Sequence, residues 1–326
     1  MYYPNNIEDI CYDENHIQQV LAEIKANFND YFEKFIETEA GIKITEDTFS
    51  EITNELGATN IRITKRKVDK SKVLKSIIKA SINAFEKDRD KYLEILDDEY
   101  LEEYEDDPSN FKNTVLKNEC PIIRLTLQNK KAKELDKYRT NFRLSNPNEL
   151  LEVISNLTTF ANEYLDDIYD EEEYEELTSL EELGLSPLDE EEYIVYGVIG
   201  GGIKSHLLYK FNPSVFPNRG REAIWAFWYL TNKKTFNCAE DSEFLNINID
   251  KSTTQQNFFY PYDLFSFYAY NIYLLLKKEA KRCGVYIDTN YRYVIVDDFL
   301  SFVAQEHGEE IDFLKSQVKE ESHGYY

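Results

Sequence analysis

Glycine and proline are scarce in this 326-residue chain, with eleven of the first and eight of the second. Repeated tight turns use both, so the scarcity argues against a strand-and-turn sandwich and for helices. Cysteine and histidine are equally thin. Cys11, Cys120, Cys238 and Cys283 form no CxxC pair, and the four histidines are dispersed. The ligand spacing of a zinc module is missing, so no metal and no cofactor are expected. The four thiols read as free and buried in a reduced, cytoplasmic protein. The opening MYYPNNIEDICYDEN lacks the basic region and apolar run of a signal peptide. The longest apolar stretch, Phe258–Leu276, is interrupted by Pro261, Asp263, Ser266 and Asn271. It reads as a buried helix, and no membrane partner is expected.

What is abundant is acid and aromatic side chain. The formal net charge is −25, and 14% of residues are aromatic, 25 of them tyrosine. Tyrosine suits half-buried positions, where the ring packs and the hydroxyl finds a polar partner. The charge comes in blocks. Ile61–Lys91 carries eleven Lys or Arg against four acids, and Lys112–Arg143 nine against three. Glu163–Glu192 carries fifteen acids and no basic residue, whereas Ile194–Phe236 has six basic residues against Glu222 alone. The acidity is therefore segmental, and global repulsion of nucleic acid does not preclude local basic patches.

Apolar periodicity predicts helices over Glu14–Glu37, Thr48–Leu56, Asp69 onward as far as Tyr104, Lys130–Phe142 and Asn148–Ile168. Beyond the acidic block it predicts them over Glu190–Val198, Ile203–Phe211, Arg219–Thr231, Pro261–Cys283, Asp298–His307 and Glu310–Val318. Short strands are predicted at Asn60–Val68, Cys120–Leu127, Phe244–Ile249 and Tyr293–Val296. The fold class is mainly α with a few short strands (α+β), as two helical domains, 1–165 and 193–326, joined by an acidic linker or insertion at 166–192. Acid runs of this kind are usually solvated. Limited proteolysis is expected to nick there and leave two pieces.

The stretch Ile199–Leu230 concentrates the unusual residues. Gly200, Gly201 and Gly202 precede Lys204 and Ser205 at a helix start, where bare N–H groups and a helix N-terminus favour an anion. The spacing is neither a Walker loop nor a dinucleotide fingerprint. Arg219 and Arg221 begin the next helix, where cations oppose the helix dipole unless an anion answers them. These seven residues are the candidate phosphate-binding set. His206 reads as a structural histidine, and Trp225 with Ile224, Phe227 and Leu230 as core. Thr253–Asn257 reads as a cap for the Pro261 helix. Asp241, Glu243, Asn248, Asp250 and Lys251 surround a predicted strand in a way that resembles metal-dependent nucleases only in being acid-rich.

Val198–Ser205 resembles the hairpin of helix-hairpin-helix DNA-binding modules, including those of base-excision glycosylases. Leu207–Pro213 and Phe216–Pro217 are similar to that family's next helix and turn. The resemblance covers about forty residues. It implies that the hairpin glycines hold a DNA phosphate and that Lys204 stands where some members carry a catalytic lysine. The family's catalytic Asp is answered by Asn218 or Arg219, neither of them a carboxylate, so base excision is not implied. The sequence thus leads to a nucleic-acid or polyanion-binding module of a bacterial nucleic-acid-processing or defence assembly. Its alternative is an acidic interaction protein or inhibitor whose block at 163–192 fits a basic partner protein. A hydrolase or nuclease is third, and no catalytic constellation can be named.

Overall fold

A computed structural model describes residues 8–39, 69–132, 135–238, 242–248 and 253–316. The helix expected at Thr48–Leu56 and the strand expected at Asn60–Val68 lie outside the described residues, as do Asp241, Asp250 and Lys251. Within them the protein is mainly helical. The helices are α1 (Glu14–Glu39), α2 (Lys70–Glu86), α3 (Arg89–Ile95), α4 (Asp98–Glu102), the widened π-type α5 (Phe111–Glu119), α6 (Pro121–Gln128), α7 (Asp136–Leu144) and α8 (Pro147–Glu163). They continue with α9 (Gly201–Phe211), α10 (Arg221–Leu230), α11 (Tyr262–Arg282), α12 (Arg292–Glu306) and α13 (Gly308–Ser316). One antiparallel hairpin, β1 (Leu245–Asn248) and β2 (Thr253–Gln256), pairs Leu245 with Gln256 and Asn248 with Thr253.

The core is built around α12. Tyr293, Val294, Ile295, Val296, Phe299, Leu300, Phe302, Val303 and Ala304 are all buried, and the four consecutive residues 293–296 bury side chains on every side of its first turn. It packs on α10, α11, α2 and α1. Its β-branched run at 293–296 suggests a strand, but burial on all sides overrides local propensity. The same override acts at Pro121–Gln128. That segment is helical rather than extended, with Pro121 in the first turn where its missing N–H costs nothing. Between Lys70 and Tyr104 the expected long helix is broken into three. The Asp97 carboxylate accepts from Tyr100 N and starts α4 afresh.

The acidic stretch departs furthest from its sequence reading. It is a chain of short 3-10 turns that buries Tyr174, Leu183, Leu185 and Leu188. Tyr174 Oη meets Tyr293 Oη at 2.6 Å, and Tyr270 Oη donates to Leu177 O at 3.3 Å. Glu175 accepts from Tyr273 and Lys277 of α11 and lies 4.0 Å from the buried Arg292 guanidinium. That guanidinium sits over the Tyr174 ring at 4.4 Å and donates to Ser214 O. Asp189 accepts from both Tyr262 N and Asp263 N. The N-terminus of α11 is therefore capped from the acidic stretch, not from Thr253–Asn257, which instead forms β2 and the turn after it. One buried cluster draws on residues before, within and after 166–192.

Candidate anion-binding cavity

The glycine run does not break a helix. Gly200 is the N-cap of α9, and Gly201 and Gly202 form its first turn. Ahead of it, Val195 and Ile199 exchange backbone hydrogen bonds around Gly197, whose φ of 74° needs glycine. This tight turn, preceded by the 3-10 turn Glu191–Tyr193, replaces the helix expected at Glu190–Val198. The next helix, α10, begins after the N-cap Gly220. Neither α9 nor α10 has a side-chain cap hydrogen bond at its start.

Both N-termini open on one cavity of about 770 Å³. Gly200, Gly201, Gly202, Lys204, Arg219 and Arg221 all line it. Ser205 does not. It is buried, accepts from Arg219 N at 3.1 Å and donates to Gly202 O, so it ties the two helix starts together. The three glycines have different surroundings. A Cβ at Gly201 would stand 2.2 Å from Arg219 Nη1, whereas nothing lies within 4 Å of one at Gly200 or Gly202. Gly201 is thus required by the arginine packed on it. The other two keep open space beside backbone N–H groups that precede the first intrahelical bond.

The charges are not displayed as the sequence suggests. Lys204 is 2% exposed, donates to Leu188 O and lies 3.8 Å from the Asp189 carboxylate. Burial pushes its ammonium below the ordinary range. Its reading as a lysine offered to a partner is corrected: it is an internal strut between α9 and the acidic stretch. Arg219 is 3% exposed, and its Nη2 donates to Asn257 O and Phe258 O. Its Nε is buried without a partner. Burial lowers it to about 10, so it remains a cation at neutral pH. Arg221 is exposed at the rim.

The aromatic part of the lining was not anticipated. Tyr138, Tyr196, Phe258, Phe259 and Tyr260 also line the cavity, with Phe258 next to Arg219, whose Nη2 donates to its backbone O. Phe258, Phe259 and Tyr196 are each 46% exposed, high for large apolar rings. Asp297 of α12 also lines the cavity, with its carboxylate accepting from Asn218 Nδ2 at 3.0 Å. Burial first, then the neighbouring Asp298 and Glu222, push it up to about 7, against the relief from Asn218 and Lys210. His206 hydrogen-bonds with the Tyr92 hydroxyl at 3.2 Å, and burial beside Lys210 lowers it to about 4, so it is neutral. Asp297 lies far from the glycines in sequence, and its only local signal is an Asp pair interrupting an apolar run. No protein-family model matches this chain, and neither a curated protein nor a solved structure matches it.

Proposed function

We propose that the protein binds a nucleoside phosphate unit in this cavity, either as a free nucleotide or as one nucleotide of a single strand. The observation that carries the reading is the pairing of two uncapped helix N-termini with Arg219, a buried guanidinium whose Nε lacks a partner. A helix N-terminus favours an anion through its dipole and its unpaired N–H groups, and glycine lets a phosphate approach the backbone closely. Among the lining residues, the exposed rings of Tyr196, Phe258 and Phe259 offer a surface on which a base can stack. The volume suits one such unit, while the net charge of −25 disfavours a duplex lying along the surface. From the helix-hairpin-helix resemblance the reading keeps only backbone N–H groups facing a phosphate. Calorimetric titration with nucleoside monophosphates, unphosphorylated nucleosides, inorganic phosphate and 5′-phosphorylated single strands tests it. Monophosphates should bind at least about tenfold more tightly than nucleosides, with affinity falling as salt rises. Binding of strands but not of free nucleotides assigns the unit to a strand. Absence of binding by all of them at low salt ends the reading.

A second reading has its own observation. Asp166, Asp167, Asp170, Glu171, Glu172, Glu173, Glu176, Glu181 and Glu182 remain exposed while Tyr174, Leu183, Leu185 and Leu188 of the same stretch are buried. A fixed acidic face of this kind can dock on a basic protein surface. Replacing Glu171–Glu173 with glutamine should then abolish capture of that partner without affecting nucleotide titration.

A further inference from the structure

Cys11, in the 3-10 turn Asp9–Tyr12, and His16, in the first turns of α1, lie beside Cys238 and Glu243, which flank residues 239–241 ahead of β1. The Cys11 and Cys238 sulfurs are 3.9 Å apart, and each is paired across 227 positions of sequence. His16 Nε2 and a Glu243 carboxylate oxygen are pressed into direct contact. One donor atom from each of the four lies within 4.8 Å of the other three. We propose that these residues form a closed four-donor site for one zinc-class divalent ion. The site would tie the start of α1 to Cys238 and to Glu243, two residues before β1.

Geometry and donor chemistry agree. Zinc bound tetrahedrally at about 2.3 Å from sulfur places two thiolates about 3.8 Å apart. A disulfide would bring them to about 2.05 Å. Two sulfurs and an imidazole select a borderline-soft ion over magnesium or calcium, which take oxygen donors. The His16 and Glu243 side chains are 3% and 1% exposed. Buried this completely, the carboxylate and the imidazole answer each other in direct contact, and a bound ion would take the place of that contact by drawing both as ligands. His16 Nδ1 is buried with no partner, so protein hydrogen bonds do not fully satisfy the ring. Around the donors, Tyr260 Oη donates to the other Glu243 oxygen at 2.9 Å, and the Phe236 ring meets the His16 ring edge-on at 5.7 Å. Such outer contacts fix the orientation of ligands. Four protein donors leave no open position, which makes the site structural rather than catalytic. On binding, both thiols release their protons to solvent and ligate as thiolates.

This inference is independent of the nucleotide reading, although the two sites are physically linked. Asn257 Nδ2 donates to Glu243 O, and Asn257 O accepts from Arg219. The expectation of no metal rested on sequence spacing, which cannot see a site assembled from two distant pairs. A weak signal was present. Four residues separate Cys11 from His16, and four separate Cys238 from Glu243.

The test is elemental analysis of full-length protein purified under reducing conditions without chelator, then dialysed against zinc and back into buffer. About one zinc per chain is expected, with a cobalt-exchanged sample showing thiolate-to-metal charge transfer and strong tetrahedral d–d absorption. Glu243→Gln and Cys238→Ser should each weaken retention against a competing chelator by at least about tenfold. If those variants do not fold, the cobalt spectrum of the unsubstituted protein decides alone. Substoichiometric zinc after dialysis together with no cobalt–thiolate band overturns the proposal. So does a Cys11–Cys238 disulfide found in the reduced preparation by intact mass and peptide mapping.

Discussion

The stretches 166–192 and 200–221 carry opposite charge, and from sequence both should present that charge outward. The fold treats them differently. Around the glycines, Lys204 and Arg219 turn inward and are spent on carbonyls and on Asp189, which leaves backbone N–H groups, Arg219 Nε and the rim residue Arg221 to meet an anion. In the acidic stretch most carboxylates stay outside, while Tyr174, Leu183, Leu185 and Leu188 go in and Glu175 and Asp189 hold α11 and α12. Burial of a side chain depends on the partner that awaits it, and a cation that finds several carbonyls can be buried where a solvated acid is not. Charge blocks read from sequence therefore do not tell which charges the fold leaves at the surface.

The sharpest way to break the first half of this comparison is Gly201→Val. The new Cβ meets Arg219 Nη1 at 2.2 Å, so the guanidinium must leave its carbonyls. A loss of about 3–5 kcal/mol is expected in denaturant unfolding, the range for disrupting a buried charge. Gly202→Ala, next to it in sequence but facing open space, should stay within about 0.5 kcal/mol of the unsubstituted protein. Equal effects at the two positions would mean that Arg219 does not pack on Gly201.

Next in size is Asp297→Asn. With its carboxyl pushed up to about 7, the folded protein holds a proton that the unfolded chain has released above about pH 4. The unfolded state binds fewer protons across that window, so stability falls as pH rises from about 4 to 7 and is level beyond. The full linkage is roughly 4 kcal/mol, and an effect of about 2 is expected because the group borders the cavity. Asp297→Asn should be the more stable protein at pH 8 and indistinguishable at pH 4. Nucleotide affinity should drop as pH rises past 7 in the unsubstituted protein, when Asp297 adds a negative charge to the wall, and this component should vanish in the variant.

For the acidic stretch, Tyr174→Phe removes the 2.6 Å contact and leaves Tyr293 Oη buried beside a ring. A cost of about 1–2 kcal/mol is expected in thermal or denaturant unfolding. Protease should cleave between 166 and 192 more readily in this variant than in the parent, which the packing protects. A parent chain cut there as fast as the variant would return the stretch to a solvated linker.

Helices with a steady 3.6-residue period were legible. α1, α11 and the core face of α10 come straight from the spacing of Ile17, Val20, Ile24 and Phe28, of the 262–276 run, and of Ile224, Phe227 and Leu230. Six of the seven residues singled out between 200 and 221 line one cavity because they lie close in sequence, although only the fold could tell Gly201 from Gly202, bury Lys204 or add the lining from 122–138, 258–260 and 297–301. Pro121–Gln128 and Tyr293–Val296 were misread because β-branched residues look the same in a strand and in a fully buried helix. The anchoring of the acidic stretch was hidden because 3-10 turns space Tyr174, Leu183, Leu185 and Leu188 without a helical period. The Cys11, His16, Cys238 and Glu243 cluster and the place of Asp297 are products of tertiary contact, and the sequence carries only the equal four-residue spacing within each pair and an Asp pair in an apolar run.

If the open start of α9 is where the phosphate binds, Gly200→Asp should block it directly. Gly200 is an N-cap in extended conformation with open space beside it, so an aspartate there can cap α9 through its own carboxylate. Measured side by side, thermal stability should hold or rise by a few tenths of a kcal/mol, while nucleoside monophosphate affinity falls at least about tenfold as the carboxylate takes the anion's place. A variant that folds as stably and binds nucleotide as tightly as the parent would contradict the assignment of the glycine cavity as the anion site.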